Sequence, residues 1–124
     1  MSKKRYVPRR GDVIRVDFSP QKGHEQAGRR PALVLSPTDY NRQVGLALVC
    51  PITNAKKGYP FEVEIPPEEL NVSGVILADQ IKSLDWHARN AEFVCTLDPS
   101  ALREVLEKAI TLLEPDEDVE DEGE

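Results

Sequence analysis

The stretch Glu25–Pro31 holds two adjacent arginines, Arg29 and Arg30, in front of an apolar run. A guanidinium group is permanently charged, and its fork of donors matches the oxygens of a phosphate. An arginine held at the start of a rigid strand can therefore grip a phosphate. A second apolar run ends in the hydroxyl of Thr53. If the two strand ends meet, an arginine and a threonine share one site.

Two residues of the same glycine-bearing loop, His24 and Glu25, carry groups that can move protons. An imidazole changes charge near neutral pH, and a carboxylate can act as a base. The alternative for both is a solvated loop position with no catalytic part. Arg29 is likewise either a contact for a nucleic-acid backbone or an ordinary surface charge.

Three residues elsewhere have types that suit a nucleic-acid ligand. Phe18 ends the first predicted strand beside the loop, where a base could stack on it, although burial in the core is an equal alternative. Gln80 and Lys82 alternate on one face of a predicted strand and could read a base or a phosphate. Their alternative is a wet sheet face.

Several short segments have the alternation or the apolar runs of β-strands, and turns rich in proline and glycine separate them. Many short strands at this spacing predict a small barrel or a strongly bent sheet. The predicted strands are 12–18, 31–35, 46–52, 61–65, 75–78, 80–84 and 93–96.

One helix is predicted near the end of the chain. Asp98 is a good N-cap, Pro99 suits the first helical position, and Pro115 ends the pattern. Between them an apolar stripe with helical spacing is expected to close over the sheet; it consists of Leu102, Val105, Leu106, Ala109, Ile110 and Leu113. A short helical turn is predicted at 38–42.

Composition favours one soluble domain in the cytoplasm. The chain has 124 residues, and no apolar run is long enough to span a membrane. The basic N-terminus leads into no apolar segment of a secretory signal. Cys50 and Cys95 lie in apolar strands and are expected to be buried thiols in a reducing compartment, with a bridge between them as the alternative. No cluster has the spacing of metal ligands, so neither a metal nor another cofactor is expected.

The charge of the chain is divided unevenly. Residues 114–124 hold eight of the 22 acidic side chains and no basic one, which leaves 14 acidic against 16 basic side chains in residues 1–113. The sequence therefore predicts a folded domain over 1–113, able to show a basic patch to nucleic acid, and a disordered acidic tail over 114–124. The tail either folds back to compete with a nucleic acid for the basic patch or only aids solubility.

Five motifs in order make the chain similar to the MazF/PemK family of toxin endoribonucleases. The resemblance covers residues 11–113, nearly the whole predicted domain. Its motifs are Gly11–Phe18, Lys22–Pro37, Pro51–Thr53, Lys57–Val63 and Ala78–Arg89.

The resemblance implies an SH3-like small β-barrel with a C-terminal helix, working as a homodimer. It implies metal-independent cleavage of single-stranded RNA at a short sequence, and an antitoxin partner whose acidic segment covers the site. Arg30 and Thr53 match the family's catalytic arginine and threonine, and Glu25 matches its pattern better than His24 does. Attack of the RNA 2′-hydroxyl on its own phosphate is the expected reaction.

Two other functions stay open at this point. One is a non-catalytic toxin that grips a protein, like the CcdB-type gyrase poisons on the same fold. The other is an inert or regulatory homologue that binds only nucleic acid and its antitoxin. The pairing of Arg30 with Thr53 favours the nuclease.

Overall fold

The structure, a computed structural model, describes residues 5–18 and 28–116 of the chain. Within them lie seven strands and two helices, close to the predicted segments. In chain order they are β1 (Asp12–Asp17), β2 (Arg29–Val34), α1 (Thr38–Val44), β3 (Leu46–Thr53), β4 (Glu62–Glu64), β5 (Val75–Leu77), β6 (Lys82–Asp85), β7 (Glu92–Thr96) and α2 (Pro99–Thr111).

The longest strand, β3, organises the sheet because it pairs with three other strands. Residues 49–51 pair with β2 on one edge, while residues 46–49 pair with β6 and residues 52–53 with β5 on the other. All pairs among the described strands are antiparallel, in the order β4-β5-β3-β2-β1-β7 with β6 beside β3. The predicted fold class, a bent antiparallel sheet with a C-terminal helix, is confirmed.

The sheet buries apolar side chains on both faces, which explains why β2 and β3 are nearly continuous apolar runs. One core cluster includes Leu33 and Ile52 and extends to α2 through Val105. The other includes Val34 and Val49 on the opposite face of the same strands. Because both faces are covered, the strand register is fixed: a slip by one residue would exchange the two cores.

Cys50 and Cys95 are both buried, and both are free thiols. Burial raises the pKa of Cys50 to about 12 and that of Cys95 to about 11. The prediction of buried thiols is confirmed, and the alternative of a disulfide between them is not what the structure shows.

The helix α2 begins as predicted and ends early. The Asp98 carboxylate accepts a hydrogen bond from the Ala101 N–H across 3.1 Å, and Pro99 is the first helical residue. The helix ends at Thr111, before the predicted stop at Pro115. The predicted stripe is wrong at its end: Leu113 lies beyond the helix and is 78% exposed, and Ile110, although still helical, is 50% exposed.

Candidate active site

A cavity of about 340 Å³ lies at the ends of β2 and β3, bordered by the chain segments that follow β3 and β5. It gathers side chains that are far apart in the sequence. Five residues singled out by the sequence analysis line it, namely Phe18, Arg30, Thr53, Gln80 and Lys82.

Arg30 and Thr53 occupy matching positions on paired strands. The antiparallel register joins Ala32 of β2 to Pro51 of β3. Continued by two residues on each strand, this register places Arg30 opposite Thr53. Directly opposed residues have their Cβ atoms about 5 Å apart on one face of a sheet. Both side chains line the cavity, so a guanidinium and a hydroxyl share one site, as the sequence predicts.

The Thr53 hydroxyl is oriented by its own chain. The N–H of Ala55 donates to the Thr53 Oγ1 across 3.0 Å. A hydroxyl has one donor and two acceptor positions. The bond from Ala55 occupies one acceptor position, and the hydroxyl proton stays available for an oxygen of a ligand in the cavity.

Gly74 fixes the main chain of Thr53 from its other side. Its φ is +113°, and a Cβ added there would lie 2.3 Å from the Thr53 carbonyl oxygen and 2.9 Å from the Asn54 Oδ1. Only glycine permits this approach. Sequence reasoning found a turn at Ser73–Gly74 but missed this role, because the sequence does not show which strand end a glycine will touch.

The cavity carries an excess of positive side chains. Arg30, Lys57 and Lys82 all line it. Within residues 5–18 and 28–116, none of these three side chains forms an ion pair. The acidic side chain of Glu62 also lines the cavity, but it accepts hydrogen bonds from two backbone N–H groups. Such a site attracts an anionic ligand.

Arg29 is placed differently from its neighbour. Its side chain donates to the Asp17 carboxylate and to the Glu92 carboxylate, each across 3.0 Å. The hydrogen bond from the Asn90 side chain, and then that from Arg29, lower the pKa of Asp17. Arg29 lines a second cavity, of about 610 Å³, and not the cavity of Arg30. Its contact with an RNA backbone stays a prediction.

Phe18 lies where β1 ends and is held there by the backbone. Its N–H donates to the Gly28 carbonyl across 2.8 Å, and its own carbonyl accepts from the Arg89 guanidinium across 2.7 Å. The ring is half-buried, packs against the second core cluster and also lines the cavity. Both predicted environments of Phe18, core and cavity, are therefore present in one position.

The predicted proton carriers, His24 and Glu25, belong to residues 19–27 and lie outside the described residues. The described residues on either side of that segment are joined by the hydrogen bond between Phe18 and Gly28. The roles of His24 and Glu25 stay predictions.

Gln80 and Lys82 both reach the cavity, but they do not share a strand. β6 begins at Lys82, which pairs with Val49, and Gln80 lies in the turn after β5. The prediction of one strand over 80–84 is wrong at its start. The reason is a turn hydrogen bond from the Gln80 N–H to the Leu77 carbonyl, 3.1 Å, which draws Gln80 out of the extended conformation.

Two polar residues that line the cavity, Tyr59 and Glu62, were not singled out as ligand-binding by sequence reasoning. The Tyr59 hydroxyl donates to the Asp79 carboxylate across 2.8 Å, and this bond raises the pKa of Tyr59. Both fall in the motif Lys57–Val63, which was one of the five family motifs. That motif was the available signal, but its residues were interpreted only as a turn and a strand.

Two other kinds of site are not found in the described part of the chain. Among residues 5–18 and 28–116, no group of three or more His, Cys, Asp or Glu side chains is arranged to hold a metal ion. In that same part of the chain, no helix combines the length and the apolar character needed to cross a membrane.

The sequence matches one protein family over most of its length. The profile of the PemK-like, MazF-like toxins of type II toxin–antitoxin systems matches residues 9–113. The chain belongs to this family. It is 50% identical over 109 residues to the endoribonuclease toxin MazF of Escherichia coli K12, covering 88% of this chain and 96% of that protein. It is 43% identical over 109 residues to the endoribonuclease toxin ChpB of the same strain, covering 85% and 90%.

Solved structures agree with the sequence comparison. The fold superposes on MazF in a MazE–MazF crystal structure from Deinococcus radiodurans with a TM-score of 0.81 at 52% identity, covering 88% of this chain and 97% of that one. MazF alone from the same organism gives a TM-score of 0.79 at 52% identity, covering 88% and 98%.

Proposed function

We propose that this toxin cuts single-stranded RNA without a metal ion, by directing the 2′-hydroxyl of a nucleotide against its own 3′-phosphate. The chain is an endoribonuclease toxin of a type II toxin–antitoxin system, as its family and its relatives at 50% identity indicate. The observation that carries the mechanism is the placement of Arg30 and Thr53 in one cavity, with no ion pair to Arg30 within the described residues.

The proposed reaction supplies its nucleophile from the substrate. The 2′-oxygen forms a bond to phosphorus, the bond from phosphorus to the 5′-oxygen breaks, and the 2′-proton passes to a base while the 5′-oxygen gains a proton. The products are a 2′,3′-cyclic phosphate and a 5′-hydroxyl. Negative charge builds up on the non-bridging oxygens in the transition state, and donors placed beside them lower the barrier.

Arg30 is proposed to stabilise that charge, and Thr53 to orient the phosphate through its hydroxyl proton. A guanidinium is a poor proton carrier because its pKa exceeds 12. Glu25 is therefore proposed as the proton carrier, with His24 as the alternative group on the same loop. RNA on either side of the cut is proposed to contact Phe18 by stacking, and the further predicted RNA contacts are Gln80, Lys82, Arg29 and His24.

The cognate antitoxin is proposed to close the same cavity with an acidic segment. The charge of Arg30, Lys57 and Lys82 suits carboxylates as well as phosphates. The Deinococcus radiodurans neighbour was solved as a MazE–MazF assembly, which agrees with a partner of this kind. We further propose that the toxin works as a homodimer in the cytoplasm, where messenger RNA is translated.

The test is incubation of the purified chain with a long single-stranded RNA in the presence of a chelator, followed by mapping of the RNA ends. Cutting at a short sequence, with 2′,3′-cyclic phosphate and 5′-hydroxyl ends, is expected. RNA in which the 2′-hydroxyl is methylated should resist. Binding without cutting would support a regulatory homologue, and neither binding nor cutting would support a toxin that grips a protein.

A further inference from the structure

We propose that Glu62 is a positioning residue, which fixes the segment 54–59 as a wall of the cavity and so sets which RNA sequences are bound. This inference rests on the proposed RNA-cleaving function. It assigns a role to a carboxylate that the proposed reaction does not use.

The Glu62 carboxylate holds the wall by two backbone contacts. Its Oε2 accepts from the Lys57 N–H, and its Oε1 accepts from the Gly58 N–H, each across 2.8 Å. Hydrogen bonds to a charged acceptor are the strong ones. Glu62 itself stands on β4, where it pairs with Leu77 of β5, so its carboxylate is carried by the sheet.

The wall is attached at a second point across the cavity. The Tyr59 hydroxyl donates to the Asp79 carboxylate across 2.8 Å, and Asp79 lies in the turn after β5, beside Gln80. Gly58, whose N–H donates to Glu62, has a φ of +83°, a conformation that a side chain disfavours. The wall is thus held at three consecutive residues, Lys57, Gly58 and Tyr59, and a backbone restrained in this way suits recognition of a defined RNA sequence.

The wall presents groups to RNA and not to the reacting bond. Lys57 and Tyr59 line the cavity from the wall, while Arg30 stands on β2 and is not bonded to Glu62. Loss of Glu62 should therefore weaken and broaden RNA binding while leaving the chemical step intact. Such a loss raises KM and leaves kcat unchanged.

The experiment compares Glu62→Gln with Glu107→Gln, which alters the same kind of residue at an exposed position of α2, away from the cavity and the wall. Glutamine keeps one acceptor oxygen, but its amide cannot accept from the second N–H. For Glu62→Gln we expect KM to rise about ten-fold, kcat to stay within about two-fold and the mapped cut sites to include new sequences. For Glu107→Gln, both constants and the cut sites should match the unaltered protein.

Tyr59→Phe removes the attachment at Asp79 and provides a second, independent variant should Glu62→Gln fail to fold. It should also raise KM and broaden the cut sites. The proposal is overturned if the folded variants show lower melting temperatures but unchanged KM and cut sites, because Glu62 would then act on stability alone.

Binding of RNA separates this proposal from the proposed function. The probe is a fluorescent single-stranded RNA with a 2′-deoxynucleotide at the mapped cut site, or a mixed-sequence RNA of equal length if the unaltered protein cuts none. Absence of cutting by the unaltered protein would refute the function alone. Equal Kd values for the unaltered protein and Glu62→Gln would refute the proposal that Glu62 positions the wall for RNA binding.

Discussion

Arg29 and Arg30 are consecutive residues of β2 whose side chains are used in different ways. Arg29 is held by the carboxylates of Asp17 and Glu92, while Arg30 lines the cavity with Thr53 and has no ion pair within the described residues. The alternation of a strand explains the difference, because neighbouring side chains emerge on opposite faces. One of two similar arginines is thereby paired with carboxylates, and the other faces the cavity that it shares with Thr53.

Replacing each arginine by alanine should separate these uses. Arg30→Ala should lower kcat about 100- to 1,000-fold, as the loss of one donor to a charged transition state does in other enzymes. Arg29→Ala should lower cleavage far less, because its removal chiefly frees two exposed carboxylates. Single-turnover cleavage of one RNA substrate measures both. Equal losses in the two variants would contradict the assignment of Arg30.

Removing the Thr53 hydroxyl while keeping the shape of the side chain should strongly lower the cleavage rate and only slightly lower the stability of the fold. Thr53→Val keeps the branched side chain but loses both the donor to the phosphate and the acceptor for the Ala55 N–H. We expect the cleavage rate to fall about ten- to 100-fold, while the free energy of unfolding, measured in denaturant, falls by about 1 kcal/mol. Thr53→Ser should recover most of the rate. A variant with unchanged turnover would remove Thr53 from the mechanism.

Local sequence signals predicted the strands and the site pair well, and contacts between distant segments less well. Arg30 and Thr53 could be paired because Arg30 directly precedes one apolar run and Thr53 directly follows another. The start of one strand lies beside the end of the next when the two strands pair in antiparallel fashion. Gln80 was placed on the wrong element, because one turn hydrogen bond decides where a strand begins. The hydrogen bonds from the Lys57 and Gly58 N–H groups to Glu62 depend on the path of the backbone between these residues. The alternation of polar and apolar residues in the sequence does not specify that path.

The contacts of the Asp17 carboxylate should make the stability of the fold depend on pH. Its pKa is lowered by the Asn90 amide first and by Arg29 second. A carboxyl whose folded-state pKa is depressed adds stability above its unfolded value of about 3.9, and this is lost as the pH falls through the lower folded value. Denaturant unfolding should therefore show that Asp17→Asn is destabilising at pH 7, and that the difference shrinks below about pH 4. A difference independent of pH would contradict this.

The acidic tail is proposed to compete with RNA for the basic cavity. Residues 117–124 lie outside the described residues, and the domain boundary near residue 113 is itself a proposal. A chain truncated after Glu114 should bind RNA more tightly at low salt, and the gain should vanish as salt screens the charges. Fluorescence anisotropy at two salt concentrations measures this. Equal affinity at low salt would assign the tail to solubility only.

Replacing Gly74 or Gly58 by alanine separates two effects of adding a side chain. One is a collision with the main chain of Thr53, and the other is the strain of a side chain in the left-handed conformation. Both glycines have positive φ, +113° and +83°. A Cβ on Gly74 would lie 2.3 Å from the Thr53 carbonyl oxygen, whereas a Cβ on Gly58 would have no atom within 4 Å. Gly58→Ala should therefore lower the free energy of unfolding by about 1 kcal/mol, which is the strain of a side chain in the left-handed conformation.

Gly74→Ala must in addition move the main chain of Thr53 or Gly74. We expect it to cost at least about 2 kcal/mol more than Gly58→Ala, because backbone atoms cannot swing aside as the end of a side chain can. Since the displaced atoms belong to Thr53, kcat should fall in Gly74→Ala even at temperatures where the variant is fully folded. Denaturant unfolding and single-turnover cleavage, made on the same samples, measure the two effects. If Gly74→Ala loses stability but keeps kcat, then the position of the Thr53 main chain does not control the chemistry of the cavity.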